Sequence, residues 1–211
     1  MTYFFDLDGT VTDSREGIFN CVKYALESRG IAEPDYERMK AYIGPPLVKG
    51  FMEINGVDEE TAIELLNKYR ERYSVYGVYE CKLYDGIAEL LKSLAERGHT
   101  LAIVTGKPEH YAKIIAENLG VKKYFDYIIG PSLSNTEEEK DSLVRRALSL
   151  MNTKNAVMIG DRKFDIEGAK MNNISSVAVM YGFGTPEELK NANADFYAET
   201  VKDLHNLLLS I

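Results

Sequence analysis

Short apolar runs alternating with amphipathic stretches constrain this chain more than any other feature. Runs at residues 2–5, 100–104, 127–129, 156–159 and 176–179 are rich in β-branched and aromatic residues and apolar at both parities. A strand with one wet face would alternate polar with apolar, so these runs belong to strands covered on both faces. The last four each follow a segment of helical period, at residues 86–97, 109–119, 138–150 and 165–172. In the first of these, Ile87, Leu90, Leu91 and Leu94 recur at the i, i+3, i+4, i+7 spacing of one helix face. Strands alternating with such helices build parallel βαβ units, so the predicted fold is α/β with a doubly wound parallel sheet.

A block of another kind interrupts this alternation, and it contains no convincing strand. Ile18, Phe19, Val22, Ala25 and Leu26 make one amphipathic helix, which Gly30 can end. Asp58 can cap another, whose Ala62, Ile63, Leu65, Leu66, Tyr69 and Tyr73 form an apolar stripe. The predicted organisation is an α/β core of residues 1–14 and 81–211 with a small helical cap, residues 15–80, inserted after the first strand. Such an insert enters and leaves near the carboxyl end of strand 1, where open α/β sheets bind ligands. The acidic run Glu137-Glu138-Glu139 reads as a solvated first helical turn.

The formal net charge of −8 argues against general nucleic-acid binding, which needs cationic surface, and does not favour an anionic membrane. No apolar run approaches the ~20 residues that span a bilayer. The start, Met1 to Asp6, lacks the basic residues and long apolar stretch of a signal peptide and reads as the first strand. Cys21 and Cys81 match neither a disulfide framework nor a metal-ligand spacing, and Cys21 falls on the apolar side of its helix as a buried thiol. A reducing, cytoplasmic setting is the expectation.

Chemistry-bearing residues cluster at strand ends. Asp6 and Asp8, in Phe5-Asp6-Leu7-Asp8-Gly9-Thr10, point the same way from an extended backbone. Two such carboxylates cannot both stay ionised cheaply unless a cation joins them. With a divalent metal on one, the other can hold a proton, which provides a metal-bound nucleophile beside a general acid. An EF-hand calcium loop fails, because Gly9 is misplaced and residue 17, where its bidentate Glu should fall, is Gly. Thr105-Gly106-Lys107-Pro108 follows another apolar run and opens a helix, offering a hydroxyl and free N–H groups to a phosphate, although it is also a plain cap-and-turn sequence. A P-loop is excluded by its spacing. Gly160-Asp161-Arg162-Lys163-Phe164-Asp165 presents two oxygen donors of the kind magnesium prefers, with capping of the next helix an equal reading for Asp165. Lys140, at a helix start, is by pattern alone a solvated lysine that sits badly with the helix dipole unless an anion is present.

Taken together, these segments resemble the haloacid dehalogenase superfamily, and within it phosphatases with a helical cap of the C1 type, similar to phosphoglycolate phosphatase and nucleotidase-like members. Asp6-Leu7-Asp8-Gly9-Thr10-Val11 matches the first family motif, Thr105 the second, Lys140 the third, and Gly160-Asp161 with Asp165 the fourth. The resemblance implies that Asp6 attacks phosphorus to give an aspartyl-phosphate and that Asp8 serves as general acid and base. It implies magnesium held by Asp6, the backbone carbonyl of Asp8, and Asp161, with Asp165 ligating directly or through water. Thr105, Gly106 and Lys140 would clamp the phosphoryl oxygens, and a small phosphorylated metabolite is the expected substrate. A phosphomutase would keep the same motifs, and a non-catalytic phosphometabolite-binding protein could share the fold. In the cap, Tyr42 and Lys49 are candidate substrate contacts, whereas Phe51 and Met52 read as cap core.

Overall fold

The computed structural model of the protein describes residues 1–134 and 138–210. The chain separates into two compact units, Met1–Asp13 with Lys82–Ile211 and, between them in sequence, Ser14–Cys81. The seams expected from sequence lay one residue away, after residues 14 and 80.

In the first unit the strands are β1 (Thr2–Phe5), β2 (Thr12–Asp13), β3 (Lys82–Leu83), β4 (Thr100–Val104), β5 (Tyr127–Ile129), β6 (Ala156–Gly160), β7 (Ser175–Val179) and β8 (Phe196–Ala198). Six of them form one parallel sheet in the order β5-β4-β1-β6-β7-β8, while β2 and β3 pair antiparallel. The helices in chain order are α1 (Arg15–Glu27), α2 (Tyr36–Lys40), α3 (Leu47–Asn55) and α4 (Glu59–Arg72) in the second unit. They are followed in the sheet unit by α5 (Ile87–Glu96), α6 (Glu109–Asn118), α7 (Lys140–Leu150), α8 (Lys163–Met171), α9 (Pro186–Ala192) and α10 (Val201–Leu208). No helix among the described residues is long and apolar enough to cross a membrane.

β1 occupies the centre of the sheet because every one of its side chains can be buried. Phe4 joins Ala102, Val104 and Met158 in a layer closed by Leu143, Val144 and Ala147 of α7. On the opposite parity, the Tyr3 hydroxyl donates to the Leu208 carbonyl at 2.9 Å, and Phe5 meets Phe125 edge-on with ring centres 6.2 Å apart. Both sheet faces are therefore covered, as the doubly apolar runs required.

Differences from the sequence reading fall where periodicity is short. β2 and β3 hold two residues each, too few to carry a pattern, and the edge strand β8 leaves Phe196 and Tyr197 exposed. α7 begins at Lys140 rather than residue 138. Glu139 stands at its N-cap and Glu138 pairs with Arg146 at 3.1 Å, so these two acids precede the first turn instead of forming it. Glu137, the third member of that run, lies outside the described residues.

The inserted unit is helical, with no strand inside it among the described residues. α1 buries Ile18, Cys21, Val22, Ala25 and Leu26. Asp58 caps α4 by accepting from the Thr61 amide at 2.9 Å, as its position predicts. Ala62, Leu65, Tyr69 and Tyr73 are buried, with the two tyrosine rings stacked at 5.2 Å. Ile63, expected in the same stripe, is instead 45% exposed, since it sits one residue off the buried face.

Candidate active site

Strands in register end level, and β1 lies between β4 and β6, with Phe5 opposite both Ile103 and Ile159. The chain moves outward from β1 on both sides, so this is the switch point at which open α/β sheets place ligands. Asp6 follows β1, Thr105 follows β4, and Asp161 follows β6. The sheet thus delivers three residues that are far apart in sequence to one edge.

Asp6, Asp161 and Asp165 are buried, and each offers a carboxylate oxygen, the three lying within 4.8 Å of one another. Lys140 reaches them from the first residue of α7. Its ammonium lies 2.8 Å from Asp6 Oδ1 and 2.7 Å from Asp165 Oδ1, and donates to the Val104 carbonyl at 3.1 Å. Burial works to strip its charge, yet the Asp165 and Asp6 carboxylates outweigh that and hold the ammonium above its ordinary range. A lysine that pattern alone made a solvated one is therefore fixed inside the cluster.

The main chain holds each carboxylate in place. Asp6 donates its amide to the Ile159 carbonyl at 2.9 Å, which extends the β1–β6 pairing by one residue. Asp161 accepts from the Phe183 amide at 2.7 Å and from the Thr10 hydroxyl at 3.3 Å. Gly9 packs over it at a φ of +87°, where a Cβ would stand 2.1 Å from Asp161 Oδ2, so no larger residue fits. Asp165 caps the next helix, one of the two readings its position offered, and also pairs with Lys140. Its Oδ2 accepts from the Arg162 amide at 3.1 Å as part of a capping box, while its Oδ1 faces Lys140.

The electrostatics suit a cation. Burial, with Asp6 and Asp165 alongside, pushes the Asp161 carboxyl well above the usual carboxylate range. Burial and Asp6 raise Asp165 to about 6, against the opposing pull of Lys140. Three carboxylates against one contacting ammonium leave two formal negative charges in a dry place. Oxygen donors with that excess fit a divalent metal, and the residues that would hold one are Asp6, Asp161 and Asp165.

Asp8 stands apart. Its Oδ2 lies 2.6 Å from the Lys107 ammonium, both side chains being largely buried, and its Oδ1 is buried with no hydrogen-bond partner among the described residues. The sequence reading placed Asp8 with the metal residues through its backbone carbonyl, and its carboxylate does not join the acidic cluster. Thr105 is buried and its hydroxyl accepts from the Lys107 amide at 3.2 Å, while Gly106 faces open space.

The candidate contacts of the helical unit are placed differently from one another. Lys49 is exposed on α3, 3.8 Å from Glu53. Tyr42 is 2% exposed, packs on Phe51 with ring centres 5.3 Å apart, and gives its hydroxyl to Asn55. Tyr42 is therefore interior to its own unit, which corrects the expectation that it faces a substrate. Phe51 is core as expected, whereas Met52 is exposed. Sequence reasoning missed Lys107, Thr10 and the Phe183 amide. Lys107 lay inside a segment already singled out, but a lysine beside a helix start carries no pattern that announces an ion pair.

The family model for haloacid dehalogenase-like hydrolases matches residues 3–179, a stretch that holds Asp6, Asp8, Thr105, Lys107, Lys140, Asp161 and Asp165. A 5'-nucleotidase of Pseudomonas aeruginosa is 43% identical over 208 residues, spanning 98% of this chain and 94% of that protein. A Mycobacterium tuberculosis protein named tyrosine-protein kinase PtkA is 32% identical over 208 residues, spanning 97% of this chain and 71% of its own length. The crystal structure of a predicted phosphatase from Clostridium acetobutylicum superposes with a TM-score of 0.93 at 43% identity, covering all of this chain and 98% of that one. The alternating strands, the motif residues at the ends of β1, β4 and β6, and these relatives agree, and the chain belongs to the haloacid dehalogenase-like hydrolase family.

Proposed function

We propose that this chain is a magnesium-dependent phosphatase acting on a small phosphomonoester, with Asp6 as nucleophile and Asp8 as general acid and base. The observation that carries the reading is the cluster of Asp6, Asp161, Asp165 and Lys140 at the sheet's switch point, with a second carboxylate, Asp8, two residues from the first. The 5'-nucleotidase relative supports a phosphomonoester as the substrate class.

An Asp6 carboxylate oxygen attacks phosphorus, and the bond from phosphorus to the leaving oxygen breaks as that oxygen takes a proton from Asp8. Asp8 then removes a proton from water. That water attacks the phosphorus of the aspartyl-phosphate, releasing inorganic phosphate and the Asp6 carboxylate. The Thr105 hydroxyl, the Gly106 amide and the Lys140 ammonium hold the non-bridging oxygens, where charge develops. Asp6, Asp161 and the Asp8 carbonyl, with Asp165 beside them, would hold magnesium, which would supply positive charge to offset that of the phosphoryl group. The local cation set also answers the net charge of −8, which would otherwise repel a phosphorylated metabolite. The helical unit serves as the cap that judges the leaving group, with Lys49 as its exposed candidate contact.

A phosphate-release screen tests this over nucleoside monophosphates, phosphorylated sugars, phosphoglycolate and pyrophosphate, with magnesium and with chelator. Magnesium-dependent release from at least one phosphomonoester is expected. Isomerisation of a sugar phosphate without release would favour a mutase, and no turnover of any compound would leave a binding protein.

A further inference from the structure

Lys107 is a buried charge that the mechanism above does not use. Its side chain is 7% exposed and its ammonium sits 2.6 Å from Asp8 Oδ2, whose own side chain is 14% exposed. Two charges removed from water at that separation form a strong directed contact, and losing either partner leaves the other stranded.

The turn that carries Lys107 is fastened at several points. Thr105 donates its amide to the Ile129 carbonyl at 3.0 Å, tying the turn to β5. The Lys107 amide donates to the Thr105 hydroxyl at 3.2 Å, and Pro108, the N-cap of α6, restricts the backbone just after it. Gly130 lies so close that a Cβ there would stand 2.3 Å from the Lys107 carbonyl. A lysine stem has four rotatable carbons, so an anchored backbone and a buried path are what convert it into a fixed point charge.

Among the described residues, Asp8 is held through one carboxylate oxygen only. Its Oδ1 is buried and has no partner among the described residues. A buried, unsatisfied carboxylate oxygen is costly, and one at a reaction centre is the atom left available to a ligand. We propose that Lys107 is a positioning residue for the reaction: it pins Asp8 by Oδ2 so that Oδ1 is presented to the leaving oxygen of the substrate. This rests on the phosphatase reading and adds a residue to it. Lys107 acts through Asp8 and does not touch the phosphoryl group.

A double-mutant cycle of Lys107→Met with Asp8→Asn tests the proposal. It is assayed on para-nitrophenyl phosphate and on the best alkyl phosphate of the release screen, with Lys107→Arg as the conservative variant. Misplacing a reacting group by about 1 Å can cost on the order of a hundredfold, so Lys107→Met should lower kcat on the alkyl phosphate roughly tenfold to a hundredfold. KM should stay within about twofold, because an interaction made only in the transition state leaves ground-state binding alone. The aryl phosphate, whose leaving group needs little protonation, should lose about threefold or less. In the Asp8→Asn background the lysine change should add less than about twofold, as expected of residues acting as one unit. Lys107→Arg should recover part of the loss. If Lys107→Met does not fold, judged by circular dichroism, Lys107→Gln takes its place in the cycle. Losses that multiply in the double variant, or a KM that rises in step with the loss, would mean that Lys107 binds phosphate directly and would overturn the proposal. A parent that releases phosphate from nothing would overturn the phosphatase reading and this proposal with it. An active parent with independent variants overturns the proposal alone.

Discussion

Both units of this chain carry exposed ion pairs, and they differ in whether they also bury charge. In the helical unit most ion pairs lie at the surface: Lys23 with Glu33, Lys40 with Glu37, Lys49 with Glu53 and Lys68 with Glu71. Exposed pairs of this kind are worth about 0–1 kcal/mol and decorate helices built for other reasons. Its interior is apolar and includes aromatic pairs, with Tyr42 on Phe51 and Tyr69 stacked on Tyr73. In the sheet unit, Asp6, Asp161, Asp165 and Lys140 are buried together, and Asp8 and Lys107 form a second buried pair. Stability alone does not call for such an arrangement, since buried ion pairs are often no better than apolar packing of the same volume. The comparison therefore supports the proposed placement of the chemistry in the sheet unit.

The largest expected effect is at the centre of the acidic cluster. Asp6→Asn removes the nucleophile while keeping the shape, so turnover should fall on the order of 10⁴- to 10⁶-fold, as when a nucleophile is removed elsewhere. The circular dichroism spectrum should be unchanged. Appreciable magnesium-dependent release by this variant would remove Asp6 from the reaction and with it the contrast between the units.

Asp8→Asn should cost less and discriminate between substrates. General acid–base help is typically worth about 10²–10⁴-fold, so sugar or nucleoside phosphates should lose that much. An activated aryl phosphate should lose less in the first step, measured by single-turnover kinetics. Equal losses for both kinds of leaving group would mean that Asp8 is not the acid.

The acidic cluster also sets a pH dependence opposite in sign to that of the helical unit, where hydrogen bonds hold Asp58, Glu71 and Glu80 below the usual carboxylate range. Asp165 is raised from 3.8 to about 6 in the folded protein, and burial beside Asp6 and Asp165 raises Asp161 as well. A carboxyl raised on folding binds its proton more tightly when folded, so its contribution to stability is present at low pH. That contribution is lost as pH climbs from about 4 through about 6. The metal-free protein should therefore weaken over this window and above it, where the carboxylates are ionised and crowded. Magnesium binds the ionised form and should offset the loss. Its effect on the melting temperature should then be greater at about pH 7.5 than at about pH 5, by roughly 5 °C. Equal shifts at both values would show that the cluster is not where the metal binds.

The fold was legible because buried parallel strands write short, doubly apolar runs, and the paired helices write a clear 3.6-residue period. What escaped was either too short for a period, such as β2 and β3, or on an edge, such as β8 with its exposed Phe196 and Tyr197. The buried acidic cluster was legible at Asp6 and Asp161, where a carboxylate ends an apolar strand. It was not legible from the residues alone at Lys140, which the family resemblance placed, nor at Lys107. Both lysines act through contacts made across more than 90 residues of sequence, Lys140 with Asp6 and Lys107 with Asp8, and no local spacing encodes such a pair. Tyr42 was misplaced for a related reason, because an aromatic beside polar residues reads the same whether its ring faces a pocket or a core.

The smallest expected effect separates the two candidate residues of the helical unit. Tyr42 holds a core position, and burial pushes its hydroxyl up to about 12. Tyr42→Ala would open a cavity against Phe51, and large aromatic truncations of this kind cost about 3–5 kcal/mol. Any change in its substrate ranking would then be confounded with a loosened unit. Lys49 is free of that difficulty, since its partner Glu53 is a turn away on the same exposed helix face. Lys49→Ala should shift stability by less than about 0.5 kcal/mol, as surface changes usually do. If the helical unit judges the leaving group, kcat/KM ratios among natural substrates should move by roughly twofold to tenfold in this variant, as for loss of a single solvated charge. Para-nitrophenyl phosphate should be hydrolysed nearly as before. A parent-like ranking across Lys49→Ala and neighbouring exposed changes such as Met52→Ala, all folded and responsive to magnesium, would leave the helical unit as a spacer. The comparison would then sharpen to one unit that does everything and one that only completes the fold.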